Sequence, residues 1–217
     1  MIDNQKIIEK TYQLYLKYGI KSVSVNEISA MLGISKKTLY LHIRSRNELL
    51  EQVVDYGRHK FLTGLRRAID AEVEVLPQLA QFFHYVIKNV RKTNPSFLLD
   101  LKKVSPVQYQ KVEDLRNNQL YRLIRPIIER GVEQGLFRSN LDLRLVYLNL
   151  ISKMSERAVR VSPAYSQAIL GDTMYRLILN DLIGISTVSG HQKIERQYSD
   201  LLQLVQPELY ITNSENN

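Results

Sequence analysis

The sequence predicts an all-α protein: an N-terminal three-helix helix-turn-helix domain, followed by a larger helical domain. Three observations carry that expectation. Glycine and proline are scarce, at 9 and 6 of 217 residues. Apolar residues recur at helical spacing almost throughout, and no run reads as a convincing strand. The charge is also uneven: the chain holds 30 Lys and Arg against 22 Asp and Glu, and half of that excess falls in the first fifty residues.

The first helix is expected from Asp3 or Asn4 to Tyr18, with Ile7, Ile8, Thr11, Leu14, Tyr15 and Tyr18 on one face and Gly19 as its stop. The second starts behind Ser24, where S-V-N-E spaces a capping serine from Glu27, and ends at Leu32 before Gly33. A third follows at once with Ser35 as N-cap and runs to Ile43 or Arg44. Ser45 and Glu48 then open a fourth helix that continues to about Ile69. Further helices are expected at 77–92, 95–104 and 106–134, the last kinked or broken at Arg125 because Pro126 removes a backbone donor. Segments 142–161 and 165–184, joined by a turn at Pro163, and a charged helix at 190–205 complete the chain before a frayed tail at 212–217. The domain boundary is placed at residue 50, giving domains 1–50 and 51–217, with the fourth helix linking them to about residue 69.

Two short helices around a glycine turn form the helix-turn-helix signature. From Gly33 to Arg46 the sequence has Lys36, Lys37, Arg44 and Arg46 and no acid. At about 100° per residue, Leu39 and Ile43 share the inward face of the third helix. Lys37, Tyr40, Leu41 and Arg44 cluster on the opposite face, with Thr38 and His42 along a flank. Cations and a phenol suit phosphate oxygens, Lys or Thr suits base edges, and Leu suits a thymine methyl.

The run Ile7–Leu50 resembles the N-terminal domain of the TetR family of transcription regulators. The matching motifs are Y-G at 18–19, S-V-N-E-I-S at 24–29, G-I-S-K at 33–36, T-L-Y-L-H-I at 38–43 and S-R-N-E-L-L at 45–50. Carried over residue by residue, the resemblance implies phosphate contacts from Ser24, Thr38, Tyr40, His42 and Arg46. It implies base-edge contacts from Ser35, Lys36, Lys37 and Leu41. Four positions depart from the family habit: Ser29 replaces Ala, Leu41 stands where an aromatic is common, Ile43 replaces Phe, and Arg46 replaces Lys.

The resemblance further implies a variable helical C-terminal domain with a small-molecule pocket, and a homodimer formed by its last two long helices, here near 142–161 and 165–184. The stretch G-V-E-Q-G-L-F-R-S-N-L-D at 131–142 looks like the usual lead-in to the first of them. An apolar excess on Leu143, Val146, Tyr147, Leu150 and Met154, and on Ile169, Met174, Leu177, Ile178 and Leu182, agrees with an interface. Phe82, Phe83, Tyr85, Phe97, Tyr109, Tyr121, Tyr147 and Met154 are the candidate pocket lining, although such aromatics also build ordinary cores.

Enzyme readings find little support. Histidines 42, 59, 84 and 191 are scattered, cysteine is absent, and no metal-ligand or glycine-rich nucleotide pattern occurs. The acid pairs Glu72/Glu74 and Glu113/Asp114 are read as solvated surface. No cofactor or metal is expected. No leader opens the chain, and no apolar run reaches the roughly 20 residues of a spanning helix. The expectation is therefore a cytoplasmic, homodimeric, ligand-responsive repressor of a double-stranded DNA operator. The alternatives are a helix-turn-helix protein of chromosome organisation or division, and a helical ligand-binding protein or enzyme with a vestigial DNA-binding end.

Overall fold

The computed structural model describes the backbone of residues 3–160 and 167–205, and the side chains of 3–152 and 174–197. Its helices are α1 (Asn4–Tyr18), α2 (Val25–Leu32), α3 (Lys36–His42), α4 (Arg46–Asp70), α5 (Val75–Lys92), α6 (Ser96–Val104) and α7 (Pro106–Asp114). A π-helical turn at Leu115–Gln119 precedes α8 (Leu120–Glu133), α9 (Leu143–Arg160), α10 (Gln167–Ile185) and α11 (Val188–Val205). Pairing between extended segments among the described residues is confined to one isolated bridge, Phe137 with Ser186. The turn expected at Pro163 and the tail at 212–217 lie outside the described residues.

The chain divides into two compact units, one of Met1–Gly64 with Arg91–Arg116 and one of Leu65–Val90 with Asn117–Asn217. In the first unit, local chemistry sets each helix end. The Asp3 carboxylate accepts the Lys6 N–H at 2.7 Å and caps α1. Ser24 and Glu27 form the expected reciprocal box at the start of α2: Glu27 N–H donates to Ser24 Oγ at 3.2 Å, and Ser24 N–H donates to Glu27 Oε2 at 2.6 Å. Gly33, at φ 66° and ψ 30°, takes the left-handed conformation that turns the chain from α2 into α3. Ser35 Oγ accepts the Thr38 N–H at 3.0 Å, and Ser45 Oγ accepts the Glu48 N–H at 3.1 Å. Each short helix thus has its orphan donors met by the residue the sequence supplies there.

These ends hold the helices over one core that includes Ile7, Tyr15, Ile20, Ile28, Leu39, Leu49, Val53 and, from α6, Phe97 and Leu101. Tyr18 is the exception to the expected inward face of α1, being 47% exposed. The α6–α7 segment is bound to the other helices of this unit by polar contacts as well. Asn94 donates its N–H to Leu16 O at 2.7 Å and its side-chain amide to Lys17 O at 3.1 Å. The Asp100 carboxylate, buried, accepts the Lys21 N–H at 3.0 Å. A Cβ on Gly19 would overlap the Ser96 hydroxyl and reach Asp100 Oδ2 at 3.0 Å, so the chain passes here only as glycine. Lys111 of α7 pairs with Asp55 of α4 at 3.1 Å, and Gln108 donates to Glu51 at 3.0 Å.

The second unit buries Leu79, Phe82, Phe83 and Ile87 of α5, with Ile124 and Ile128 of α8, Phe137, Tyr147, Leu150, Ile178 and Ile194. Pro77 falls in the first turn of α5, where a missing N–H costs nothing. Of the kink or break expected at Arg125, the break does not occur. Helix α8 runs unbroken through Pro126, between buried Ile124, Ile127 and Ile128, and an Arg125–Glu129 pair at 2.7 Å spans the site. The loss of regular α geometry falls instead at the π turn Leu115–Gln119, which ends α7. On α9, Tyr147 and Leu150 of the apolar excess are buried within the chain, and among the described residues of this helix the exposed large apolar side chains are Leu145, at 64%, and Leu148. Met174, Ile178 and Leu182 of α10 are buried likewise. The side chains of Met154 and Ile169 lie outside the described residues. Glu113, expected on the surface, is half-buried and salt-bridged to Arg116 at 2.6 Å.

Candidate nucleic-acid interface

Helix α3 is anchored from below by Leu39, fully buried, with Ile43 beneath its C-terminal end. With those two positions fixed, helical geometry turns Lys36, Lys37, Tyr40 and Leu41 outward, and Arg44 just beyond the helix is exposed too. Tyr40 is 43% exposed and Leu41 78%. Among the described residues no ion pair engages Lys36, Lys37 or Arg44. The nearest acids in sequence are occupied by caps. Glu27 is tied to Ser24, whose backbone N–H and hydroxyl hold its carboxyl below the usual carboxylate range. Glu48 Oε2 accepts the Arg44 N–H at 2.7 Å. The face is therefore a positively charged strip suited to phosphate and base edges.

The other expected contact residues divide into two groups. Ser24 and Ser35 are exposed N-caps at the starts of α2 and α3, and the Ser35 hydroxyl lies 2.8 Å from that of Thr38. Thr38 and His42 are half-buried on the flank, with His42 Nδ1 3.0 Å from Asn4 Oδ1 at the start of α1. Arg46 also makes contacts within the unit. Its Nη2 donates to both Ile20 O and Val23 O at 3.0 Å, clamping the α1–α2 turn. Burial raises the pKa of the nearby Tyr15 phenol, against the opposing pull of the Arg46 charge. Asp100 holds the Lys21 N–H of the same turn. The turn that aims α2 is thus gripped by a cation on its carbonyls and a carboxylate on an N–H. Asp100 and Asn94 were not anticipated; the only sequence signal was a lone acid within F-L-L-D-L and the turn-forming N-P-S before it.

The candidate pocket residues do not form a single set. Phe97 is buried in the core of the first unit, and Tyr109 packs against that core. In the second unit Phe82 and Phe83 meet edge to face at 5.3 Å between ring centres. Tyr121 and Tyr147 also lie 5.3 Å apart, with the Arg144 guanidinium 4.7 Å over the Tyr121 ring. Tyr85 is half-buried. The second unit also holds a polar pair, His84 Nδ1 to Tyr175 Oη at 2.8 Å. Among the described residues no group of His, Cys, Asp and Glu could hold a metal ion, and no helix is long and apolar enough to cross a membrane.

Comparison with known proteins agrees with this geometry. The model of the family described as bacterial regulatory proteins, tetR family, matches residues 7–53. The HTH-type transcriptional repressor KstR2 of Mycobacterium tuberculosis is 22% identical over 146 residues, covering 65% of this chain and 72% of that protein. Its solved structure, titled a ketosteroid transcriptional regulator, superposes with a TM-score of 0.61 at 19% identity, over 85% of this chain and 95% of that one. The fatty acid degradation regulator FadR of Bacillus halodurans gives a TM-score of 0.62 at 17% identity, over 81% and 93%. At these identities the solved structures establish the fold, an N-terminal helix-turn-helix domain followed by a helical domain. The match over α1–α3 and the start of α4 covers the residues that build the basic strip: residues 7–53 form a tetR-family N-terminal domain, and the chain is a DNA-binding transcriptional regulator similar to the repressors of that family.

Proposed function

We propose that two copies of the chain bind a pseudo-palindromic operator and repress transcription from it in the cytoplasm. Each copy lays α3 in one of two successive major grooves, about 34 Å apart. The observation that carries this reading is the acid-free outward face of α3, with Leu39 and Ile43 buried beneath it. Lys36, Lys37 and Leu41 face base edges, with Ser35 at the helix start, and Tyr40, Arg44, Ser24, Thr38 and His42 face phosphate. Domain 1–50 is the reading head, and 51–217 carries dimerisation and effector binding. Exposed Leu145 and Leu148 on α9 support a dimer contact along α9 and α10. The aromatic pairs of the second unit, with the His84–Tyr175 pair, support an apolar or amphipathic effector, and the names of two relatives refer to a ketosteroid and to fatty acid degradation. The chain acts by binding and not by catalysis; its effector shifts the balance between DNA-bound and free states.

Genome-wide footprinting with the full chain tests this reading. One or a few promoter-proximal sites with two-fold symmetry are expected. Many dispersed sites would favour a role in chromosome organisation, and the absence of any protected site would contradict the proposal.

A further inference from the structure

Among the described residues of the reading head, Leu41 is the most exposed large apolar side chain, at 78%. A lone exposed leucine is ordinary on a protein surface. This one lies between Lys37, one turn before it, and Arg44, one turn after, on a helix whose inward positions are already filled by Leu39 and Ile43. The chemical inventory of α3 narrows what it can recognise. The segment K-K-T-L-Y-L-H contains no carboxylate to accept from cytosine N4 and no carboxamide for the paired edge of adenine. The Thr38 hydroxyl is bonded to Ser35, and His42 Nδ1 to Asn4. With the exposed Tyr40 phenol assigned to phosphate, what remains outward for base edges is ammonium, which suits guanine O6 and N7, and the isobutyl group of Leu41, which suits only the methyl of thymine.

Resting on the assignment of α3 as the reading helix, we propose that Leu41 is a specificity-determining residue that selects thymine by its C5 methyl. Lys37 selects a guanine nearby. Four residues of helix span about 6 Å, close to two base-pair steps. Each half-site therefore carries a G·C pair and a T·A pair separated by about one base pair. Cytosine is rejected at the second position because it has no methyl to bury, and uracil for the same reason.

The test uses duplexes selected from a random library by the full chain. Each thymine of the selected half-site is replaced singly by uracil, which removes the methyl and keeps the base pairing. One thymine per half-site is expected whose replacement weakens binding about fourfold, the effect of returning one methyl group to water. Leu41→Ala, which removes an exposed side chain, should bind the thymine and uracil duplexes equally. A thymine-to-uracil loss that persists unchanged in Leu41→Ala, or no loss at any thymine, overturns the assignment. Lys37→Ala on the same duplex separates the two levels. If it weakens binding while Leu41→Ala keeps the methyl effect, α3 still reads DNA and only the role of Leu41 falls. If neither substitution alters binding, or selection enriches no sequence, α3 is not the reading helix and both statements fall.

Discussion

Lys37→Ala combined with Tyr40→Ala removes operator binding while leaving the protein folded and dimeric. Both side chains point away from the core, so the variant should melt within about 0.5 kcal/mol of the parent. Their contribution to DNA binding counts twice in a symmetric dimer. A base-reading cation is worth about 1–3 kcal/mol, and a phosphate-bound phenol adds roughly 1 kcal/mol. Summed over two half-sites, the loss is about 4 kcal/mol or more, roughly a thousandfold, which brings affinity close to the non-specific level. Gel-shift titration at physiological salt, with thermal melting and size measurement on the same sample, checks all three parts. Normal specific binding by the double variant would show that another surface reads the operator.

Replacement of Arg46 should act through stability. Its Nη2 is the shared donor to Ile20 O and Val23 O, at 3.0 Å each, and its charge lies by the buried Tyr15 phenol. Arg46→Ala leaves both carbonyls without that donor. A charged hydrogen bond is worth about 1.5–3 kcal/mol, and water reaches this partly exposed site, so a loss of about 2–3 kcal/mol is expected for the first unit. Arg46→Lys separates structure from phosphate binding. An ammonium preserves the charge but lacks the planar fork of the guanidinium, so the lysine variant should remain destabilised. If both variants melt like the parent and only DNA affinity falls, Arg46 is a phosphate contact, as the family resemblance implies.

The first four helices were legible because their ends are encoded locally. Ser24 with Glu27, Gly33, Ser35, and Ser45 with Glu48 each satisfy orphan backbone groups within three or four residues, which is the range sequence pattern can resolve. The inward Leu39 and Ile43 and the outward Lys37, Tyr40 and Leu41 followed from helical periodicity alone. Long-range partners did not. Periodicity shows that Phe97 and Phe82 face inward, yet not that Phe97 joins a core with Leu39 and Phe82 does not. The Asp100–Lys21 contact spans 79 residues and leaves no local trace. The continuity of α8 past Pro126 was out of local reach for a related reason: a rule about helix interiors does not say how deeply the isoleucines around it are buried. Arg46 looked like any other cation of a basic stretch until its carbonyl partners were visible.

The central claim is that the outward face of α3 binds DNA through its uncompensated charge, and the salt dependence of operator affinity tests it most directly. Lys36, Lys37 and Arg44 are exposed on each reading head. A cation seated in the groove displaces condensed counterions whether it meets a base edge, as Lys36 and Lys37 do, or a phosphate, as Arg44 does; about six are then released by a dimer, and affinity should fall about a thousandfold between roughly 50 and 200 mM salt. Lys37→Ala should make that dependence shallower by about two ions. An affinity that stays level across the same range, or a slope unchanged by the Lys37 substitution, would contradict the account.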